Sequence, residues 1–363
     1  MPMPKQDWSD QTLRRDSIDP GRTQPHRPIQ PPAPGTSTSA RRGVPPAGIP
    51  RPPYPPPPPT RRKIRRRRGP SCFGCLLQGT LAIALFSGAF SVVFAAIYFV
   101  APPPRLNILL LGIDARPGEG VVTRTDTIIL ATVDPGQPYV GMLSIPRDLY
   151  VNIPGYGPQR INAAHVFAER DNPGTGPQKA METVAQNFGV PVHRYLRVNF
   201  EGFVAIVDAA GGVTVDNEQH FIDYDYPTPD YGTMVIEFQA GRQHLDGERA
   251  LQYARSRHAS NDSDRSRRQQ QVIRGLIRQM AWPMNWWRLP AVAQAYIQNV
   301  DTNLTLVDVV ALAPAVLWVG PDGIDARVFD SSLAYGRTTE GGASVLEPRW
   351  EAINPVMDEM FRR

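Results

Sequence analysis

Cysteine is nearly missing from this chain of 363 residues. The two present, Cys72 and Cys75, precede a long apolar run, so nothing beyond Val100 can form a disulfide or offer a thiolate to a metal. Their CxxC spacing can serve redox or metal chemistry, but no second pair completes a site, and two small residues at a helix entry is the simpler reading. Charge is missing from Leu76 to Ala101, LLQGTLAIALFSGAFSVVFAAIYFVA, and roughly 20 such residues cross a bilayer core. Aliphatic runs are missing from the first 70 residues, which hold about half of the 39 prolines. That composition predicts a disordered tail with no core of its own.

Arg61, Arg62, Lys63, Arg65, Arg66, Arg67 and Arg68 crowd the near flank of the apolar run, and the next charge beyond it is Arg105. The positive-inside bias therefore predicts a single-pass plasma-membrane signal-anchor with a cytoplasmic N-terminus. A cleaved signal peptide competes with this, but its apolar core would be 7 to 15 residues long and would not start about 75 residues in. Three segments follow: a Pro/Arg-rich cytoplasmic tail at 1–75, a transmembrane helix at 76–101 and an extracytoplasmic domain at 102–363. Pro102, Pro103 and Pro104 form a stiff spacer that keeps this domain near the membrane.

Residues 1–75 carry 15 Lys+Arg against 4 Asp+Glu, leaving 24 against 30 for the rest. The sequence pI near 9.3 thus reflects the tail alone, where anionic headgroups lie within reach, and nucleic-acid binding by the folded part is not expected. Pro55 to Pro59 favour polyproline II, a common docking form; a leader with no specific partner fits as well.

Beyond the spacer, Asn107–Ile113, Thr127–Val133 and Tyr139–Ile145 are short β-branched apolar runs, read as consecutive buried strands, the last after a DPGQP turn. Helical patterns cover Ala163–Arg170, Gln178–Phe188, Phe200–Ala210 closed by Gly211 and Gly212, Asp246–Ala254, Gln269–Met280, Leu289–Ile297 and Leu304–Val319, with a strand near Ile324–Phe329. Strands interleaved with helices predict an α/β three-layer α/β/α sandwich.

Asp114 ends the first strand and Asp126 begins the second, so a hairpin would bring both carboxylates out at one end. Such a pair suits Mg²⁺, which takes one or two carboxylates plus substrate phosphates; solvated strand ends carry acidic residues too. Arg124 shares a side with Asp126. Arg147 and Asp148 close the third strand, and Arg160 opens RIN. Arg255 and Arg257 in YARSRH aim together if the chain is extended there. In DSDRSRRQQQ, Arg265, Arg268 and Gln269 stand at i, i+3 and i+4. Arginine forks bind oxyanions bidentately and keep their charge, so the cluster suits a pyrophosphate. A solvated basic helix face would account for Arg267 and Arg268, but not for arginines and carboxylates recurring at several strand ends.

NILLLGIDAR, RTDTIIL, SIPRDLYV, RINAAH, VNFEGFVAIVDAAGGVTV, LDGERALQYARSR and DSDRSRRQQ, in that order over 107–277, resemble the successive motifs of the LytR-CpsA-Psr (LCP) cell-wall proteins. The resemblance implies a central mixed sheet and a phosphotransferase. Such an enzyme moves a glycopolymer from a polyprenyl-pyrophosphate carrier to peptidoglycan through a phosphodiester, with Mg²⁺ at the pyrophosphate. Carried over by position, Asp114 and Asp126 are the metal carboxylates. Arg124, Arg147, Arg255, Arg257 and Arg265, with Gln269, hold the pyrophosphate, and Arg160 and Arg268 add to donor binding. Asp114 or Asp148 is the candidate base. The family's lipid tail lies in an apolar tunnel, here with Phe200, Phe203 and Val204 as lining or as ordinary core. The sequence departs from the usual pattern at Asp262-Ser263-Asp264-Arg265, where a hydrophobic residue often precedes the arginine. A non-catalytic binder of anionic wall polymer or lipid, and a lipid pyrophosphatase, are the alternatives. The stretch after Trp286 lies outside the resemblance.

Overall fold

The computed structural model describes residues 72–114, 120–228, 232–256 and 262–362. The expectations for the tail and for Arg257 therefore lie outside the described residues. The first element among the described residues is α1 (Cys72–Val100), which starts four residues before the predicted span. Its uncharged stretch Leu76–Val100 is long and apolar enough to cross a membrane and is a candidate anchor.

Next come β1 (Leu106–Ile113), β2 (Thr125–Asp134) and β3 (Tyr139–Ser144), then a hairpin of β4 (Tyr150–Ile153) and β5 (Gly157–Arg160). They lead through α2 (Ala163–Asp171) and α3 (Gly176–Phe188) to β6 (Arg194–Val198) and α4 (Phe200–Ala209). Four short strands follow, β7 (Val213–Asn217), β8 (Phe221–Pro227), β9 (Thr233–Phe238) and β10 (Gly241–Leu245), then α5 (Gly247–Arg255) and α6 (Asp262–Ala281). A 3-10 turn at Pro283–Arg288 leads into α7 (Leu289–Asn299), β11 (Val300–Thr302) and α8 (Leu306–Val319). The chain closes with β12 (Asp325–Val328), the hairpin β13 (Ala334–Thr338) and β14 (Ser344–Pro348), and α9 (Trp350–Phe361).

Six strands form one mixed sheet in the order β11-β6-β1-β2-β3-β12. The predicted consecutive strands β1, β2 and β3 pair antiparallel, while β6 and β12 join β1 and β3 in parallel. Strand periodicity sends alternate residues to opposite faces. Leu109, Leu111, Leu130 and Leu143 pack on one side with Val184 and Phe188 of α3 and Ile353 and Met357 of α9. Ile108, Ile129, Val140 and Met142 pack on the other with Leu312 and Ala315 of α8 and Ile273 and Ile277 of α6. The three-layer sandwich is thus present, and two of its six strands, β12 as expected near Ile324–Phe329 and the unexpected β11, come from the stretch after Trp286 that lies outside the family resemblance.

A separate core lies where α4, α5 and α6 cover the β7–β10 region, with Val207, Val213, Phe238, Tyr253 and Val272 at its centre. Phe221 stacks on Phe238 at 5.2 Å, and Phe238 meets Tyr253 edge-on at 5.2 Å. Asn199 caps α4 by accepting from Gly202 N at 2.9 Å. A Cβ at Gly202 would meet Asn299 O at 2.7 Å, so only glycine lets α4 lie this close to the end of α7.

Candidate active site at the mouth of an apolar cavity

Between the sheet and helices α4, α6 and α7 lies a cavity of about 370 Å³. The sheet contributes Leu110, Ile129 and Leu196, and the helices contribute Phe203, Ile206 and Ile273. Among its lining are Asp126, Arg255, Arg265 and Gln269, polar groups brought from three parts of the chain. Phe200 and Phe203 line it too, whereas Val204 is not among the lining residues.

Asp126 owes its position to an irregularity in the ladder. Gly112 pairs with Thr127 and Ile113 with Thr125, so β2 carries one residue more than β1 at Asp126. A bulge of this kind turns a side chain out of the regular alternation. The released carboxylate accepts from Arg147 Nη1 at 2.8 Å. Arg147 Nε lies 3.6 Å from Asp148 Oδ2, and Asp148 Oδ1 lies 3.5 Å from Arg160 Nε. Carboxylates and guanidiniums therefore alternate through Asp126, Arg147, Asp148 and Arg160. Burial alone would lower the Arg147 pKa, but the bond to Asp126 and the charges of Asp126, Asp148 and Asp262 outweigh it and hold the pKa above the ordinary arginine value.

Arg255 is the last residue of α5, not part of an extended segment, and the chain leaves the helix only at Ser256. Its Nη2 stands 3.4 Å from Asp114 Oδ1, and its guanidinium lies 4.1 Å from the centre of the Phe200 ring. Tyr226, which sequence reasoning missed, is buried beside it, with Arg255 5.7 Å from its ring; burial raises the phenol pKa despite the arginine.

Arg265 sits in the first turn of α6, buried, 3.0 Å from Asp262 Oδ1. Arg268 departs from the expectation of a shared face. Its Nε donates to Tyr253 O at 3.0 Å and its Nη2 to Ser256 O at 2.7 Å, and it lies over the Phe221 ring in the separate core. It fixes the end of α5, and thereby Arg255, and does not line the cavity.

Arg124 and Arg160 instead face a polar cleft of about 540 Å³, joined there by Arg337 of β13. Asn162 lines this cleft, and its buried side-chain oxygen has no hydrogen-bond donor among the described residues. Behind it runs a buried network: Arg197 Nη1 donates to Glu169 Oε1 and to His165 Nε2, and His165 Nδ1 donates to Thr123 O at 2.9 Å, next to Arg124. Burial foremost lowers the His165 pKa and keeps the ring neutral, the form this bonding requires. Arg337 carried no usable signal, since its hairpin lies far along the chain; Asn162 and His165 stood within RINAAH.

The donor set offered to a metal is made of oxygen alone. Asp114 and Asp126 are about one-third and one-quarter exposed, and no group of three or more His, Cys, Asp or Glu among the described residues is placed to hold a metal ion. Two carboxylates fit a hard cation that completes its shell with water and phosphate oxygens, and they do not make a zinc site.

Comparison with known proteins gives the same outline. The model of the LytR_cpsA_psr family matches residues 101–361. The chain is 39% identical over 203 residues to the polyisoprenyl-teichoic acid–peptidoglycan teichoic acid transferase TagU of Oceanobacillus iheyensis, covering 55% of this chain and 59% of that protein. It is 33% identical over 211 residues to TagV of Bacillus subtilis, which bears the same description, covering 57% and 51%. The chain thus spans between half and three fifths of the length of these two curated relatives. Among solved structures, B. subtilis TagV superposes with a TM-score of 0.58 at 29% identity, covering 71% of this chain and 97% of that one. TagT bound to LIIa-WTA gives 0.56 at 27% identity, covering 71% and 89%.

Proposed function

Because the chain belongs to the LytR_cpsA_psr family, we propose that it is a phosphotransferase that moves a glycopolymer from a polyprenyl-pyrophosphate carrier onto peptidoglycan. The observation that carries this reading is one cavity, apolar along its length, with Asp126, Arg255, Arg265 and Gln269 among its lining. An isoprenoid tail matches the apolar walls, and a pyrophosphate matches the arginines. The polar cleft beside it, with Arg124, Arg160, Arg337 and the unmatched oxygen of Asn162, suits the sugars. On the same reading α1 spans the plasma membrane, residues 1–75 are cytoplasmic, and 102–363 form the extracytoplasmic domain.

In the reaction, an acceptor hydroxyl oxygen bonds to the phosphorus that bears the glycopolymer. The bridging P–O bond breaks, polyprenyl monophosphate leaves, and the hydroxyl proton passes to a carboxylate, Asp114 or Asp148. Arg147, Arg255 and Arg265 hold the phosphates in line and take up the charge gathering on the leaving phosphate. Asp114 and Asp126 would hold Mg²⁺, which when bound neutralises phosphate charge and polarises a phosphoryl oxygen.

The test is full-length protein in nanodiscs, supplied with a polyprenyl-pyrophosphate-linked glycopolymer and peptidoglycan. Wild type should form a phosphodiester conjugate and release polyprenyl monophosphate in equal amounts, and Arg265→Ala and Asp126→Ala should be slowed. Equal rates in all three would defeat the proposal. Release without any acceptor would make the protein a pyrophosphatase, and binding without release would make it a binder.

A further inference from the structure

Large apolar side chains stand exposed in one stretch of the folded domain out of proportion to the rest. Among the described residues, eighteen such side chains lie beyond Ala101, and twelve of them fall between Trp282 and Trp318, including Trp282 at 62%, Trp287 at 71%, Leu306 at 78% and Trp318 at 76% exposure. An apolar surface this concentrated marks a protein or membrane contact.

The elements that carry it are neighbours. The Pro283–Arg288 turn continues from the end of α6, and Leu312 and Ala315 of α8 share a core with Ile273 and Ile277 of the same helix. Arg274 Nε of α6 also donates to Pro321 O just beyond α8, at 2.8 Å.

Two features select a bilayer as the occupant. The first is continuity with α1: Tyr98, Ala101 and Pro103, where that helix hands over to the domain, share an apolar groove with Leu306, Val307 and Val310 of α8. The exposed start of α8 therefore stands at the level where the candidate membrane helix ends. The second is composition. Four of the six tryptophans of the chain, Trp282, Trp286, Trp287 and Trp318, lie in this stretch, and tryptophan favours the headgroup boundary. Charge there is sparse and largely neutralised: Asp308 pairs with Arg194 at 2.8 Å, Asp301 with Arg197 at 2.8 Å, and Arg288 lies 4.5 Å from the Trp287 ring.

We propose that the Pro283–Arg288 turn, α7 and the exposed side of α8 form a seat that sinks into the interfacial layer of the bilayer that α1 crosses. The proposal rests on reading α1 as a membrane anchor. Within α7, Tyr296 lines the apolar cavity while the next residue, Ile297, is 78% exposed, so the seat and the cavity wall share a helix. A lipid tail would then pass between bilayer and cavity beside α7 without crossing open water.

Tryptophan fluorescence of the full-length protein tests this, in nanodiscs made with phosphatidylcholine and phosphatidylglycerol whose acyl chains are either plain or dibrominated. Bromine quenches only tryptophans that reach the acyl region. Wild type should lose at least about half its emission in brominated discs. The triple variant Trp282→Ser, Trp287→Ser, Trp318→Ser and the milder Trp318→Phe should each lose less, in that order, with unchanged circular dichroism. Folded wild type held in the discs but quenched no more than the triple variant would overturn the seat alone. So would blue-shifted, unquenched emission from two copies per disc, because a second copy would then cover the face. Protein eluting apart from the discs would overturn the anchor reading and the seat with it.

Discussion

Arg147 Nη1 donates to Asp126 Oδ1 across 2.8 Å, and the acceptor stands where β2 carries an extra residue against β1. The bond joins the start of β2 to the loop beyond β3. The bulge frees Asp126 from the sheet, and Arg147 then holds it among the residues that line the cavity. Local backbone irregularity and long-range ion pairing thus act on one carboxylate.

Asp126→Asn keeps the shape and removes the charge. Glycopolymer transfer should fall by about 10²-fold or more, the scale for losing one preorganised electrostatic contact. Cavity lipid should still co-purify, because the apolar lining is untouched. Single-turnover transfer and lipid extraction from the same sample check both halves.

Arg255 is both paired with Asp114 and stacked on Phe200. Arg255→Lys keeps the charge but loses the planar fork and the stacking, so transfer should drop by about tenfold or more. Phe200→Leu should be milder. Full activity in Arg255→Lys would show that charge alone suffices.

Filling the cavity should separate lipid binding from chemistry. Ile206→Trp projects bulk among the apolar walls. Donors with long prenyl chains should show a KM raised about tenfold, and donors with very short chains should be turned over nearly as by wild type. An equal effect on both would place the tail elsewhere.

His165 gives a pH dependence of known sign. Its folded pKa lies below the ordinary value of about 6.5, so between the two the unfolded chain binds more protons. The contribution of the neutral ring to stability is complete above about pH 6.5 and is lost as pH falls below it. His165→Gln should be less stable than wild type at pH 7.5, with the gap narrowing toward pH 5. Thermal melts of detergent-solubilised protein at several pH values measure this.

Chelation should abolish transfer while leaving the fold intact, since Asp114 and Asp126 are partly exposed and belong to none of the three main cores. Activity restored by Mg²⁺ and not by Zn²⁺ would agree with two hard oxygen donors. Unchanged transfer in EDTA would remove the metal from the mechanism.

The central strands were legible because β1, β2 and β3 are buried on both faces and so read as continuous apolar runs. β6 was not, because RYLRV places Arg194 and Arg197 among its apolar residues, and Arg197 is buried only through Glu169, His165 and Asp301 far away in sequence. α9 hid behind its internal Pro355. The motif order located most site residues, but not their directions. Arg268 and Gln269 differ by about 100° around α6, enough for one to enter the separate core while the other lines the cavity. The bulge at Asp126 carries no glycine on β2 itself; Gly112 stands opposite on β1, inside an apolar run that reads as a plain strand, and the pairing register reveals the bulge.

Between the end of α1 at Val100 and the start of β1 at Leu106 the chain has five residues, three of them proline. Fully stretched, they reach roughly 17 Å. With α1 in the bilayer, the domain could sample little more than a thin slab above its own patch of membrane, and it would meet a lipid-borne donor by lateral diffusion. Its turnover would follow the number of donor molecules per unit of membrane area. Adding inert lipid would slow the protein, and concentrating the surrounding solution would not hasten it.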